Sequence, residues 1–423
     1  MKKRQVYLLG AGAAMDWYKA PSTASITNDV INSGFKNKEG EYVTKVIYDW
    51  LIGEDQWNKV NVNFETIVNV LEDFVQYWSS SQKQRIFGLS FFVDERDKKW
   101  DRVINYELKS SHSHYEIRIP EAGEAFDSRS DFVGNQIHPT AKYFELLLMV
   151  VLDNIVSTMT EYSFCTINKQ SVDCKENSEI NELAISYFKQ VVTNNILRIY
   201  SLNYDRLLQY VLYKADIPVF QGFNLKGHFP DVNEKPWVEL KRILEDVESN
   251  CIYHLHGNAW WEVDAHNANG LDAYNFFLEY GNGGYIFNSG FADIEMEKGK
   301  RLLISGIITG YQKAQRTALS PFRQMLSAFD RDCIVADEII IIGYSFGDEH
   351  INDIIRNARK YNPKSKLVVI DPAFDDRQFV YGFTSHWGHV QQFIFENAGD
   401  KRVISEQYNL EIFKMGFKEY LSI

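Results

Sequence analysis

Cysteine is scarce in this chain and never paired at metal-binding spacing. The four cysteines, Cys165, Cys174, Cys251 and Cys333, include no C-x-x-C pair. That spacing excludes the usual structural zinc site and speaks against a disulfide framework in a chain of 423 residues. Positive charge is also short. Lys and Arg number 45 against 57 Asp and Glu, a net charge of −12. An acidic chain repels a phosphate backbone at long range, and no basic stripe offsets this, so direct nucleic-acid binding is not expected. Nor are there clustered carboxylates with metal-ligand logic, which removes the basis for nuclease chemistry. The longest apolar run, 146–152, falls well short of the roughly 20 residues of a membrane span. Met-Lys-Lys-Arg leads straight into a strand, without the apolar stretch of a secretion signal. Internal repeats and low-complexity tracts are lacking. Together these absences predict a cytoplasmic globular protein without metal or membrane segment. A small anionic nucleotide remains compatible with the charge, because backbone amides and helix N-termini hold phosphate without lysine.

What is present alternates between strand and helix. A first strand over 6–9 is apolar throughout and breaks into Gly10-Ala11-Gly12; such a run suits a parallel strand covered on both faces. A helix follows near Ser25 and ends by Gly34. Asn63 is placed to cap a helix in which Phe64, Ile67, Val68, Leu71, Phe74, Val75 and Trp78 recur at three- and four-residue spacing. Residues 82–137 read as a variable, loop-rich insertion. Helices are expected after His138-Pro139-Thr140 to about 160 and over about 179–194. The α/β alternation then resumes: a strand over 196–202, a helix over 204–215, a short strand at 218–220, a strand over 251–255, a strand over 338–343, a helix from Asp348 to 360 and a strand over 366–370. A last strand over 390–395 and a closing helix over 405–422 complete the reading. Trp260 and Trp261 are taken as packing residues. The pattern predicts an α/β fold with a doubly wound parallel sheet. Its discontinuous sheet domain would comprise 1–34, 195–257 and 331–400. A large, mainly helical insertion would occupy 35–194, a second insertion 258–330, and a C-terminal helix 401–423.

Ligands of such sheets bind beyond the C-terminal ends of the strands. Five predicted strand ends carry polar or glycine residues: Gly10 to Gly12, then Asn203 and Asp205, then His256-Gly257, then Gly343 and Ser345 with Asp348, then Asp371. Each has an ordinary structural explanation. Gly-x-Gly can be a plain turn or a phosphate cradle. Asn203, Asp205, Ser345 and Asp348 can be helix caps. His256 can be a hydrogen-bonded core residue, and Asp371 a turn residue before proline or a ribose ligand. Five such residues collecting on one rim point to a ligand site. The third glycine of the dinucleotide fingerprint is absent, with Met15 in its place.

Gly-Ala-Gly, Asn-x-Asp, His-Gly and Gly-x-Ser in this order resemble the sirtuin fold family, and most closely the sirtuin-like NAD hydrolases of bacterial anti-phage defence. The zinc module of the deacylases is missing, since residues 258–330 hold no cysteine, and Ala20-Pro21-Ser22-Thr23 stands in place of the deacylase Pro-Asp-Phe-Arg loop. The resemblance implies a Rossmann-like, sirtuin-type sheet and NAD as substrate. It implies that Gly10, Ala11 and Gly12 line the pyrophosphate, that Pro21, Ser22 and Thr23 cover the nicotinamide side, and that Asn203 positions ribose or water. Asp205 would bind the carboxamide and His256 would act as general base. Gly343 and Ser345 would touch phosphate or ribose, and Asp371 the adenosine ribose. Cleavage of the N-glycosidic bond to nicotinamide and ADP-ribose needs oriented dipoles at a cationic ribose and a base near neutral pKa, which suits an unperturbed histidine. An activity that depletes NAD must be held off until triggered, so a homo-oligomer or a partner is expected; pairing with a HerA-type ATPase is one arrangement that relatives of this length and layout imply. The competing readings are a non-catalytic NAD or ADP-ribose sensor and an NAD-dependent protein deacylase.

Overall fold

The computed structural model describes residues 2–54, 62–79, 103–111, 114–120, 131–133, 139–163, 165–166, 169–170, 172–231, 233–264, 275–278, 293–297, 300–310, 313–374 and 396–423. Eight strands build the central sheet. They are β1 (Lys3–Leu9), β2 (Asn195–Ser201), β3 (Cys251–His254), β4 (Glu338–Ile342), β5 (Lys366–Ile370), β6 (Glu396–Asn397), β7 (Arg402–Ser405) and β8 (Leu410–Phe413). Their spatial order is β6-β7-β8-β5-β4-β1-β2-β3. The six strands from β8 to β3 run parallel, and β7 and β6 close the other edge antiparallel. The sheet is thus mostly parallel in a mixed α/β fold, with β1 at its centre between β4 and β2.

Two-residue periodicity splits the core into two layers. Tyr7, Leu9, Leu197, Ile199, Ile340, Ile342, Val368 and Ile370 face one apolar cluster. Val6, Leu8, Ile339, Ile341, Leu367 and Val369 face the other. Both faces are buried, which is why these strands read as continuous apolar runs rather than alternating ones. The first face is covered by α1 (Thr23–Ile31), α3 (Phe64–Ser79), α4 (Pro139–Tyr162), α5 (Ser178–Asn194) and α6 (Leu207–Lys214), with α2 (Val43–Glu54) beside α1. The second is covered by α7 (Leu240–Glu245), α8 (Phe322–Ile334) and α9 (Glu349–Tyr361). Asn63 caps α3 as expected, its Oδ1 accepting from Glu65 N at 2.9 Å and Thr66 N at 3.3 Å. The 24 residues of α4 are long and apolar enough to cross a bilayer by length and composition. Here that apolar surface packs on α3, with the Phe74 and Phe144 rings 4.8 Å apart.

Several expectations are corrected. The helix expected over 405–422 is instead the end of β7, a 3-10 turn (Glu406–Tyr408), β8 and the short helix Phe417–Tyr420. Leu410 and Ile412 are buried, while Glu411 between them pairs with Arg402 and Lys366; the segment obeys the strand period, not the helical one. Helix α6 begins at Leu207 rather than 204, because residues 203–206 form the turn that leaves β2. The strand expected at 218–220 shrinks to one parallel bridge, Phe220 to Cys251. Within 82–137, Glu107–Ser111, His114–Arg118 and Asp131–Val133 form an antiparallel sheet. Within 258–330, Trp261–Asp264 pairs with Asn275–Leu278 and Asp293–Glu297 with Lys300–Leu303. The strand expected over 390–395 lies outside the described residues.

Two charged pairs are buried among the described residues, Arg316 with Glu72 of α3 and, fully enclosed between the sheet and α8, Arg198 with Asp332. Arg198 on β2 and Asp332 on α8 have no exposed side-chain surface and meet at 2.5 Å. Arg198 also donates to the Ser249 and Asp246 carbonyls, and the Tyr200 hydroxyl donates to Asp332 at 2.6 Å.

Candidate active site

The site is built where β1, β2, β3 and β4 end. After β1 the chain makes a short 3-10 turn, Ala11–Ala14, and lies directly on the residue that follows β4. Gly12 N donates to Gly343 O at 2.9 Å. A Cβ on Gly10 would fall 2.5 Å from Gly343 O, and one on Gly12 would fall 2.8 Å from Gly343 Cα. Gly343 itself has φ +58°, and a Cβ there would stand 2.2 Å from Ala13 N. The glycines of both motifs therefore serve one purpose first, close contact of two backbone loops. Replacement of Gly343 by alanine is expected to destabilise the fold by about 2–4 kcal/mol, from left-handed strain plus overpacking, read as a fall in thermal unfolding midpoint; an unchanged midpoint would show that the loops part freely.

Met15 closes the 3-10 turn and is exposed. No helix follows directly, so the third fingerprint glycine has no helix to pack. The loop runs on to Ser22, whose Oγ accepts from Ser25 N at 3.1 Å and caps α1. Ser22 thus has a structural duty, and Pro21 and Thr23 flank it. Asp16, close to the glycines, accepts from Lys418 N at 2.8 Å and fastens the C-terminal segment to this loop.

Beneath the glycine loop lies a cavity of about 20 Å³, lined by Ala13, Ala14, Trp17, Asn203, Asp205 and His254 among others, with Phe417 as a wall. Asn203 and Asp205 are brought together here. Both Asp205 oxygens are engaged: Oδ2 accepts from Tyr162 OH at 2.6 Å, and Oδ1 accepts from Leu207 N at 3.0 Å, at the start of α6. Burial pushes its carboxyl up. The histidine at this cavity is His254, not His256. The Asn203 carbonyl can only accept, so His254 Nδ1, 2.9 Å away, carries the proton; Nε2 then takes the Asn258 amide at 3.2 Å. Burial holds His254 down at about 4.

His256 belongs to an adjoining cluster. Gly257 after it has φ +83°, and a Cβ there would lie 2.0 Å from Gly306 O, so the His-Gly pair is a tight backbone crossing. The His256 ring stands 5.9 Å from that of His350 at the start of α9. Lys313 bridges Glu65 of α3 at 2.8 Å and Asp348 at 3.2 Å. Asp348 was expected as the cap of α9, but its side chain makes no cap bond and takes Lys313 instead. Burial alone would raise the Asp348 carboxyl; His256, Lys313 and His350 around it hold it below its ordinary value. Burial pushes His256 down to about 3, with Lys313 and His350 adding to the effect and Asp348 opposing it. The near-neutral base expected at this position is therefore a buried neutral imidazole. Ser345 is exposed at the rim. Asp371 ends β5, where its Oδ1 accepts from Ala373 N at 2.8 Å, a turn role.

Residues 197–383 match the SIR2-like domain. SIR2-like domains use NAD. The SIR2-like match spans Asn203, Asp205, His254, His256, Gly343, Ser345 and Asp371, while Gly10 to Gly12 lie outside it and reach its strand ends through the pairing of β1 with β2 and β4. No curated protein matches the chain. Among the described residues no group of three or more His, Cys, Asp or Glu is placed to hold a metal ion.

Sequence reasoning missed Lys313, Glu65 and His350. His350 lies two residues from Asp348 in a motif already singled out. Lys313 and Glu65 are 248 positions apart in sequence with no shared pattern (313 − 65), and only packing of α3 brings them together. The depressed histidines set a pH response. Unfolded, His254 and His256 take up protons near 6.5; folded, they stay neutral down to about 4 and about 3. Stability from this source is complete above pH 6.5 and lost as pH falls towards those values. At pH 5 each is expected to cost about 2 kcal/mol relative to pH 7. Denaturant titrations at the two pH values read this, and His254→Gln should remove part of the difference.

Proposed function

We propose that this chain hydrolyses NAD at the nicotinamide–ribose bond, releasing nicotinamide and ADP-ribose. The observation that carries the reading is the contact of the Gly10–Gly12 loop with Gly343 beside the cavity that gathers Asn203, Asp205 and His254, with β2, β3 and β4 inside residues that match an NAD-using domain and His256 in the adjoining cluster. Backbone amides of the two glycine loops serve the pyrophosphate, with Gly10, Ala11, Gly12, Gly343 and Ser345 as its lining. Asn203 orients the nicotinamide ribose or the attacking water. Asp205 fixes the turn that carries Asn203, and its buried carboxylate supplies negative potential as positive charge builds at C1′. His256, neutral at physiological pH, accepts a hydrogen bond from ribose or water. A ribose cation is electrophilic enough that the water needs orientation more than a strong base. Pro21 and Thr23 beside the Ser22 cap, and Asp371 at the adenosine end, complete the assignment.

The small cavity suits a resting state. Roughly 300–1,000 Å³ is usual for a ligand pocket, so Trp17 or Phe417 must move before nicotinamide enters. Such a closed form agrees with an effector of anti-phage defence that stays silent until an oligomer or a HerA-type ATPase partner releases it. The deep depression of His256 favours one second reading, a pocket that binds NAD or ADP-ribose without turnover. Incubation of NAD with the purified chain, alone and with its genomic-neighbour proteins, separates the two: equimolar nicotinamide and ADP-ribose support hydrolysis, binding with intact NAD supports the sensor, and acyl-ADP-ribose from an acylated peptide would establish a deacylase.

A further inference from the structure

His256 Nε2 and His350 Nε2 are shielded from solvent and have no hydrogen-bond partner among the described residues. Their rings lie 5.9 Å apart, inclined by 39°. His256 is 2% exposed, so its nitrogen cannot be satisfied by bulk water, and a buried polar atom left unpaired costs roughly 1–3 kcal/mol. The charged groups around the pair are already engaged with one another: Lys313 lies between Glu65 and Asp348. An incoming anion meets two carboxylates there, and an incoming cation meets the ammonium of Lys313. Both imidazoles are pushed down by burial, so both are neutral at pH 7, each offering one N–H and one bare nitrogen. Two neutral hydrogen-bonding rings with centroids 5.9 Å apart fit neutral hydroxyls, which donate to a bare nitrogen or accept from an N–H.

We propose that His350 joins His256 in a two-imidazole seat for a vicinal diol, the hydroxyl pair of the nicotinamide ribose. This rests on the reading of the rim as an NAD site. His350 is then a substrate-binding residue, supplied by the first turn of α9 beside His256 and following a turn that Tyr344 and Asn352 lock: Tyr344 OH donates to Asn352 Oδ1 at 3.0 Å, and Asn352 Nδ2 donates to Phe346 O at 2.8 Å.

The test compares the full chain with His350→Ala and His350→Gln, using calorimetric titration with NAD and with its analogue lacking the 2′-hydroxyl of the nicotinamide ribose. Wild type should bind the deoxy analogue about tenfold more weakly than NAD, the weight of one well-made hydrogen bond. In His350→Ala this discrimination should collapse towards unity, and His350→Gln should restore part of it. Equal discrimination in wild type and His350→Ala overturns the diol seat while leaving the NAD site intact. The titrations are run on the chain alone and with its genomic-neighbour proteins; failure of wild type to bind NAD in either preparation overturns the NAD reading and the seat with it. If His350→Ala does not fold, judged by its thermal unfolding, His350→Phe, which keeps a ring and offers no nitrogen, decides: discrimination unchanged from wild type would mean the side chain at 350 does not read the hydroxyl.

Discussion

Asn203→Ala and His256→Ala are each expected to lower nicotinamide release by at least about 100-fold, the usual loss when a positioned polar group at a reacting centre is removed. The two should differ in how they fail. Asn203 is half-buried beside the cavity, and its side chain can go with little effect on the fold, so NAD binding should persist while turnover is lost. His256 is buried among Lys313, Asp348 and His350, and its removal exposes that cluster, so a drop in thermal midpoint should accompany the loss. A double variant should be little worse than the poorer single one, since groups that act as a unit are not additive. Chromatography of nicotinamide, with unfolding curves for each variant, reads both effects. Turnover unchanged in Asn203→Ala would move the reacting centre away from the end of β2.

Loss of the fully enclosed ion pair Arg198–Asp332 should give a large effect on stability. Asp332→Asn leaves Arg198 charged, with no exposed surface and without its carboxylate partner. An uncompensated buried charge costs roughly 3–5 kcal/mol. The expected outcome is a large leftward shift in denaturant midpoint. The pair itself need not be worth that much, because taking both charges out of water is expensive. Arg198→Met combined with Asp332→Leu should therefore be less damaging than Asp332→Asn alone, despite the orphaned Ser249 carbonyl and Tyr200 hydroxyl and the loss of the Arg331 contact to Asp332; the Asp246 carbonyl keeps Arg331 as donor. A double variant as unstable as the sum of its singles would show that the hydrogen-bonded frame, not the charge, is what matters.

The central strands were legible because burial on both faces leaves a continuous apolar run: 6–9, 338–342 and 366–370 could be read directly, and 195–201 nearly so. Helices α3 and α4 were legible from their spacing and from the Asn63 and Pro139 starts. The C-terminal segment was misread because a few residues around Leu410 and Ile412 carry too little periodicity to separate helix from strand; pairing with β5 decided it. At the site, every strand-end motif was visible, but its meaning was not. The glycines at 10, 12 and 343 announced a loop that tolerates no side chain, and only the structure shows that they touch one another. His254 and His256 look equivalent in sequence, two residues apart on one strand end. The chain turns after His254 and sends them to different neighbours: one to the Asn203 carbonyl, the other to His350.

By itself the sequence determined the residue types at the strand ends, the periodicity that makes them strand ends, and the absence of a cysteine-based metal module. Those properties are local, set by side-chain chemistry and by backbone conformations that neighbours within a few positions control. That the buried imidazoles are neutral, that the carboxylates beside them are engaged and which backbone atoms meet depend on groups far apart in the chain, such as Glu65, Lys313 and Asp348. Electrostatics and desolvation act through space over a few ångströms, so only the packing of α3 against the sheet ends could decide them.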